Sequence, residues 1–213
     1  MPTKNFYLDN AQTDVLTVKW GLFFRNFEAF HNGQSLGKVS STDELRQGHH
    51  YELSDGRTLT ARLARNQGLQ ELELLLDARP VPGSATHPHE RLKQGWYMLL
   101  FLGCLNVGLG LAAELGQVEL LQQLGLGWAS LAEGLAFLVL GWLGYTRRSV
   151  PAFATALTLL VLDALFGIGA SLASGQGPAL GGLIARFFFC VVVFRGMKAA
   201  QQLRSEEPKL VVE

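Results

Sequence analysis

The sequence predicts an α-helical four-helix membrane bundle that follows a small, soluble, all-β domain of the sandwich or roll type. Four long apolar runs in the second half of the chain each approach the ~20 residues that a helix needs to cross a ~30 Å hydrocarbon layer. Short segments rich in β-forming residues and separated by turn residues fill the first part of the chain instead. The charges are divided in the same way, with 11 Lys/Arg and 11 Asp/Glu up to Gln94 and only 7 of each beyond it.

The β-domain is predicted over residues 1–84. Residues 14–20 alternate partly between apolar and polar side chains, which is typical of a strand. The pairs Asn32-Gly33 and Asp55-Gly56 predict hairpin turns, because such turns need residues that tolerate positive φ. The segment Leu69–Leu76 predicts a further strand, although its leucines and glutamates also suit a helix. Because the strands are short and closely spaced, we expect an antiparallel sandwich or roll.

The charges that flank the apolar runs predict the topology of the membrane domain. Lys and Arg precede the first run, separate the second from the third and follow the fourth, whereas the other two connections carry neither. Since positive residues near the ends of spans favour the cytoplasmic side, both termini are predicted to be cytoplasmic. The polar first ten residues lack the apolar core of a signal peptide, so we expect the β-domain to stay where it is made. The predicted location is the inner membrane of a bacterium, as a multi-pass protein. The predicted segments are a linker at 85–95, a membrane domain at 96–198 with spans at about 96–113, 126–145, 150–173 and 179–197, and a cytoplasmic tail at 199–213.

Polar and charged residues inside the predicted spans form a candidate site. Glu133, Asp163 and Arg186 lie in the second, third and fourth spans, and Asn106 lies near the centre of the first. At ~1.5 Å of rise per residue, the three charged groups fall within a few Å of one another in depth. Small residues flank them at helical spacing, so we expect these faces to meet other helices rather than lipid. The four residues are therefore predicted to form one intramembrane cluster.

Two interpretations of this cluster stay open. Arg186 can pair with Asp163 or Glu133 and orient the bundle, because pairing reduces a cost of ~2.5–3.5 kcal/mol for each charge at the centre of a helix. One acid is then unmatched, and it can be protonated or face a water-filled cavity. In the second interpretation that acid binds a proton or cation during transport, which would make the chain a small proton- or cation-coupled transporter or channel.

Several functional classes are disfavoured by the residue patterns. The net charge is zero in each part of the chain, so we expect no nucleic-acid partner. No P-loop, nucleophile-elbow or zinc-protease motif occurs, and we expect neither an enzyme nor a cofactor. Nothing in the sequence makes the five histidines converge, so no metal site is predicted. Cys104 and Cys190 have no paired spacing and are expected to be small buried hydrophobic residues.

The turn-rich segments of the β-domain resemble a known family. Residues 32–38, 48–56 and 69–83, the last ending in Asp77-Ala-Arg-Pro-Val-Pro-Gly83, are similar to the strand pattern of Fas apoptotic inhibitory molecule-like β-domains. The resemblance covers about 55 residues. It implies an interaction domain and carries over no active site. The membrane half resembles uncharacterised bacterial four-span membrane proteins that carry an Asp in the third helix and an Arg in the fourth.

Together these patterns favour a non-enzymatic membrane protein whose cytoplasmic β-domain binds a ligand or a partner protein, as an anchor, sensor or interaction module. The expected partners are the lipid bilayer, an unidentified cytoplasmic ligand or protein, and further copies of the same chain. The last expectation depends on small residues that let helices approach closely, such as Gly177, Gly181 and Ala185 at the start of the fourth span.

Overall fold

The computed structural model describes residues 1–9, 11–66, 69–117, 127–173 and 180–206. The chain divides into two compact units, Met1–Glu90 and Arg91–Glu213.

The described part of the first unit contains two four-stranded antiparallel sheets, which confirms the prediction of a β-rich N-terminal region. The first sheet has the order β1-β2-β3-β4 and the second the order β5-β6-β7-β8. The segment whose pattern also suited a helix is strand β7, paired with β6 along its length. The elements are β1 Thr3–Tyr7, β2 Val15–Lys19, β3 Phe27–His31, β4 Gln34–Val39, helix α1 Thr42–Gln47, β5 His49–Glu52, β6 Thr58–Asn66, β7 Leu69–Leu76 and β8 Arg79–Pro80.

Side chains from both sheets and from α1 form one buried core. Leu16 and Phe27 come from the first sheet, Leu59 and Leu74 from the second, and Leu45 from α1, and each is at most 1 % exposed. In β2 and β3 the buried residues alternate with half-buried ones, which is the period-two pattern of a sheet with one buried face. The predicted β3–β4 turn is also confirmed, because its two central residues, Asn32 and Gly33, have φ of 49° and 83°.

The second unit is helical. Its first helix begins at Pro88, three residues before the unit itself begins at Arg91. Among the described residues, α2, α3 and α4 are long and apolar enough to cross a membrane. The first begins at Pro88 rather than at residue 96, because proline suits the first turn of a helix, so much of the predicted linker at 85–95 is helical. The last continues through the first residues of the predicted tail at 199–213. Residues 126 and 179, the predicted starts of two spans, lie outside the described residues. The helices are α2 Pro88–Glu114, α3 Trp128–Thr146, α4 Val150–Ala173 and α5 Leu180–Glu206.

A phenylalanine of α4 packs against glycines of three other helices. Phe153 is fully buried, and a Cβ at Gly144 of α3 would lie only 2.8 Å from its ring. A Cβ at Gly95 of α2 or at Gly196 of α5 would lie 3.2 Å from the same ring. The backbones of these two glycines also touch, since a Cβ at Gly95 would lie 2.9 Å from Cα of Gly196. The absence of side chains therefore creates the space that this ring fills.

A second close approach joins α2 and α3, whereas Gly181 of the predicted small-residue stripe at the start of α5 is not part of a close approach among the described residues. A Cβ at Gly103 would lie 2.9 Å from the carbonyl oxygen of Gly134, so these backbones are in contact. A Cβ at Gly181 would meet no described atom within 4 Å, and Gly177 lies outside the described residues. The prediction that both cysteines are buried is wrong for Cys104, which is exposed on α2.

Candidate functional site

The structure joins two of the four predicted intramembrane residues directly. Nε of Arg186 on α5 lies 3.0 Å from Oδ2 of Asp163 on α4. The side chains are 35 % and 38 % exposed, so neither charge is sealed inside the helices. Gly167, one turn after Asp163, leaves room for the guanidinium, because a Cβ there would collide with Nη1 of Arg186. The sequence indicated this small residue from its helical spacing to Asp163.

The second acid shares a groove with the ion pair. Glu133 on α3 and Asp163 on α4 line a groove of about 570 Å³ whose other walls are apolar. Glu133 lies within electrostatic range of both Asp163 and Arg186, and is half-buried. The groove therefore holds one acid that is ion-paired and a second acid beside it. The remaining lining residues are Ala136, Leu159, Leu162, Leu165 and Phe166.

The fourth predicted member is not joined to the others. Asn106 is half-buried on α2, and among the described residues no hydrogen bond connects its side chain to Glu133, Asp163 or Arg186. The close contact of α2 with α3 is made instead by Gly103. The described cluster thus consists of two acids and one base on three helices.

A polar network that the sequence did not predict ties the two sheets of the β-domain together. Nε2 of His31, at the end of β3, lies 2.6 Å from Oδ1 of Asp14, just before β2. The other carboxylate oxygen of Asp14 accepts a hydrogen bond from Nη2 of Arg57, which follows the β5–β6 turn. Nε of Arg57 also donates to Oδ2 of Asp55 at 2.6 Å. Three segments far apart in sequence are thereby linked at one place.

The electrostatics of this network favour the charged forms of Asp14, Asp55 and Arg57. Partial burial alone would raise the pKa of Asp14, but hydrogen bonds from Arg57 and His31 outweigh burial and lower that pKa. The hydrogen bonds that Arg57 donates, to Asp55 first and to Asp14 second, raise the pKa of Arg57. A hydrogen bond from Arg57 is also the main cause of the lowered pKa of Asp55.

The network is complete without a metal ion or a nucleophile. Atoms of Asp14, His31 and Asp55 that could bind a metal lie within 4.8 Å of one another. Arg57 already bridges the two carboxylates, so its guanidinium supplies the positive charge that a cation would bring. A histidine bound to an aspartate can serve as a general base, but the described residues bring no hydroxyl or thiol into hydrogen-bond contact with His31. The arrangement therefore functions as a clamp between the sheets.

The β-domain also contains an aromatic pocket of about 250 Å³. Trp20 and Phe24 form one wall with stacked rings whose centroids are 6.2 Å apart. Lys4 stands at the edge of the pocket, where its Nζ lies 4.9 Å from the centre of the Phe6 ring and donates to the carbonyl oxygen of Gly83 at 3.1 Å. The other lining residues are Gln70, Glu71, Leu72, Leu74, Ser84 and Ala85.

The pocket lies beside the part of β7 with which the short strand β8 does not pair. Strand β8 has two residues and pairs with Leu75 and Leu76 only, so within the described residues it does not reach the part of β7 that lines the pocket. The segment after β8 closes the other side through Ser84 and Ala85, three to four residues before α2 begins at Pro88. An occupant of this pocket would therefore contact the segment that leads into the first membrane helix.

Comparisons of the chain with protein-family models, with curated proteins and with solved structures gave no match.

Neither β-domain site was found from the sequence, although one signal was available. Asp14 immediately precedes a strand, and the register of β2 against β3 pairs Leu16 with His31. Asp14 lies two residues before Leu16 and therefore on the same face of the strand. A correct register for β2 and β3 would thus have predicted that the Asp14 carboxylate lies close to the His31 imidazole. No local signal pointed to Arg57, because it reaches Asp14 from the other sheet.

Proposed function

We propose that this chain is a non-enzymatic membrane protein whose β-domain binds an apolar group about the size of one large side chain. The aromatic pocket carries this proposal. Ligand sites of proteins are typically concave and apolar with a few polar groups that fix orientation, and this pocket has that composition on a small scale. Its volume suits one aromatic side chain of a partner protein or a small aromatic molecule. This interaction role is also the one implied by the resemblance to Fas apoptotic inhibitory molecule-like domains.

The membrane half is proposed to anchor this domain. We propose four spans, with α5 as the fourth, in the inner membrane of a bacterium, with both termini in the cytoplasm. The support for the fourth span is that buried residues of α5, such as Val193 and Ala200, share one core with residues of α2, α3 and α4. The distribution of Lys and Arg supports the orientation. Further copies of the chain are proposed partners of the bundle.

Filling the pocket is expected to abolish its binding of an aromatic probe. The probe is 5-fluoroindole, added to the full-length protein in nanodiscs and observed by ¹⁹F NMR. A ligand this small should bind with a Kd on the order of 1 mM, about 4 kcal/mol of binding free energy. In Ala85→Trp the new ring occupies the pocket, so the protein-dependent broadening of the probe signal should disappear.

The control for this measurement is Ala11→Trp, which adds the same ring at an exposed residue outside the pocket. Partition of indole into the bilayer is common to all three proteins and cancels in the comparison. Equal broadening in the native protein and in Ala85→Trp would contradict binding in this pocket.

A second candidate function is proton- or cation-coupled transport, and the groove on α3 and α4 favours it. Two carboxyl groups, Glu133 and Asp163, share this groove, and only one guanidinium is ion-paired there in the described structure. A site with two acids and one base can take up one further positive charge without leaving a net charge in the hydrocarbon layer. Proton or cation uptake at Glu133 would follow from that balance.

Flux through this groove is tested by the decay of a pH gradient across proteoliposomes. Under the transport proposal, Asp163→Asn and Glu133→Gln should each abolish the protein-dependent decay, because each removes one of the two titratable groups of the groove. Glu114→Gln is the matched control: Glu114 lies outside the groove, and its Oε1 accepts a hydrogen bond from the backbone N of Trp128 at 3.2 Å, which an amide oxygen can also do. Decay that is equally fast with and without protein would reject transport of protons and leave the ion pair with a packing role.

A further inference from the structure

The connection between β2 and β3 presents an exposed apolar tip. Leu22 and Phe23 are 84 % and 83 % exposed, the highest values among the large apolar side chains described in the β-domain. Met1, which is 72 % exposed, comes directly before Pro2, whose carbonyl oxygen accepts a hydrogen bond from N of Trp20 at 3.3 Å. We call Met1, Leu22 and Phe23 the apolar tip.

The loop holds this tip outward in a fixed and strained conformation. Its ends are joined by a hydrogen bond of 2.7 Å from N of Gly21 to the carbonyl oxygen of Arg25. Phe23, Phe24 and Asn26 have φ of 55°, 61° and 51°, in the left-handed region that bulky residues rarely adopt. The hydroxyl of Thr42 donates to the carbonyl oxygen of Phe23 at 3.3 Å. A strained backbone that persists in this way is a reason to look for a function.

This conformation separates the large apolar residues of the loop into two sets. Trp20 and Phe24 turn inward, stack on each other and line the aromatic pocket. Leu22 and Phe23, between them in sequence, turn outward and line none of the cavities described above. The apolar tip is therefore distinct from the proposed binding pocket, although it is built on the same loop.

The size of the tip favours a lipid surface over a protein partner. Three side chains of this kind bury at most about 500 Å² in total, whereas a stable protein interface needs about 800 Å² from each partner. Insertion into a bilayer has no such threshold, since every apolar side chain that enters the headgroup region contributes separately. Because the β-domain and the proposed membrane-spanning helices belong to one chain, the β-domain always stays close to a bilayer.

The charges around the tip have the sign that a bacterial membrane attracts. The cations Lys4, Lys19 and Arg25 stand on the strands and loop that carry the tip, with Lys4 over the Phe6 ring and Lys19 over the Phe30 ring. Of the acids on the neighbouring elements, Glu28 stands opposite Lys19 in the β2–β3 register and is paired with Lys38 at 3.2 Å, and Asp43 is paired with Arg46 at 2.7 Å. Basic residues beside exposed apolar ones are the usual composition of a segment that binds an anionic lipid surface.

We propose that the apolar tip inserts into the headgroup region of the bilayer that the helices of the same chain span. Leu22 and Phe23 enter the boundary between headgroups and acyl chains, Arg25 contacts lipid phosphates, and Lys4 and Lys19 add positive charge nearby. The tip thereby restricts the orientation of the β-domain against the membrane, which explains why the loop keeps two large apolar side chains outward at the cost of backbone strain.

Spin labels on the full-length protein test this insertion directly. Phe23→Cys, and separately Leu22→Cys, are made in a background with Cys104→Ala and Cys190→Ala, and each is labelled with a nitroxide. The proteins are placed in nanodiscs of phosphatidylglycerol and phosphatidylethanolamine, and the collision rates of the label with oxygen and with a water-soluble nickel chelate are compared. Oxygen concentrates in the bilayer and the chelate in water. At both positions we expect oxygen to collide more often than the chelate.

The matched control is Gln34→Cys, an exposed position in the hairpin at the opposite end of β3. There the chelate should collide more often than oxygen. The same water-exposed ratio at positions 22 and 23 as at position 34 would overturn the proposal. A label at 22 or 23 that is shielded from both reagents would also overturn it, because that result means that protein rather than lipid covers the tip.

Discussion

Replacing Phe153 by alanine is expected to lower the free energy of unfolding of the helical unit by about 2–3 kcal/mol. In a bilayer the unfolded helices stay in an apolar medium, so the loss comes mainly from packing rather than from transfer out of water. Removing about 100 Å³ of ring volume at about 24 cal/mol per Å³ of residual cavity gives this figure. The cavity cannot close easily, because Gly95, Gly144 and Gly196 have no side chains that could move into it. Unfolding by sodium dodecyl sulfate in mixed micelles, followed by circular dichroism, measures the change.

The matched control for this substitution is Phe187→Ala on α5, since Phe187 is 71 % exposed and its ring faces away from the described helices. It is expected to change stability by less than about 0.5 kcal/mol. Similar losses in both variants would mean that Phe153 does not join the four helices as the structure shows.

The same ring illustrates what the sequence could and could not predict in the membrane half. The helices themselves followed from hydropathy, because a chain in hydrocarbon must satisfy its backbone hydrogen bonds within each segment. Glycines at helical spacing indicated close approaches, and Gly103 and Gly167 do occupy such positions. Which ring fills the space next to Gly95, Gly144 and Gly196 depends on how four helices rotate against one another, and no local pattern records that rotation.

The start of α2 also could not be read from hydropathy. The apolar run begins near residue 96, but α2 begins at Pro88, where a proline can start a helix without losing a needed hydrogen bond. The polar residues 88–95 were therefore predicted as a linker because they are not apolar, although nothing in them opposes a helix.

The candidate sites differ in how far sequence reasoning could reach them. Asp163 and Arg186 stood out because charge is rare in an apolar run, and the structure pairs them. Asn106 was grouped with them by its depth and by the small residues that flank it, and neither observation fixes the partner that its side chain meets. The β-domain clamp of His31, Asp14 and Arg57 had no comparable signal, because charged residues are ordinary in a soluble domain and their meeting depends on the packing of the two sheets.

Replacing Asp14 by asparagine is expected to destabilise the β-domain by about 1–3 kcal/mol, the usual worth of hydrogen bonds that involve a charged group. The carboxylate links the first sheet, through His31, to the second, through Arg57, and is 19 % exposed. Its loss leaves the imidazole and the guanidinium with weaker acceptors in a partly buried place. Hydrogen exchange of the full-length protein in nanodiscs, measured by mass spectrometry, should show amides of β2 and β3 exchanging about 10- to 100-fold faster, at about 1.4 kcal/mol per tenfold change.

Asp55→Asn is the matched control, because Asp55 contacts the same guanidinium from within its own turn and bridges no sheets. It is expected to have a much smaller effect on exchange in β2 and β3. Equal effects from the two substitutions would show that the charge next to Arg57 matters but the link between the sheets does not.

The stability of the β-domain should also depend on pH, and the lowered pKa of Asp14 determines the direction of that dependence. A carboxyl group with a lower pKa in the folded state stabilises the fold fully above its unfolded pKa of about 3.9. That stabilisation is lost as the pH falls through the lower folded pKa, because the protonated group no longer binds Arg57 as an anion. The native β-domain should therefore lose stability below about pH 4 more steeply than Asp14→Asn, which has no proton to take up at this position. Parallel acid limbs for the two proteins would mean that Asp14 is not the group whose protonation opens the clamp.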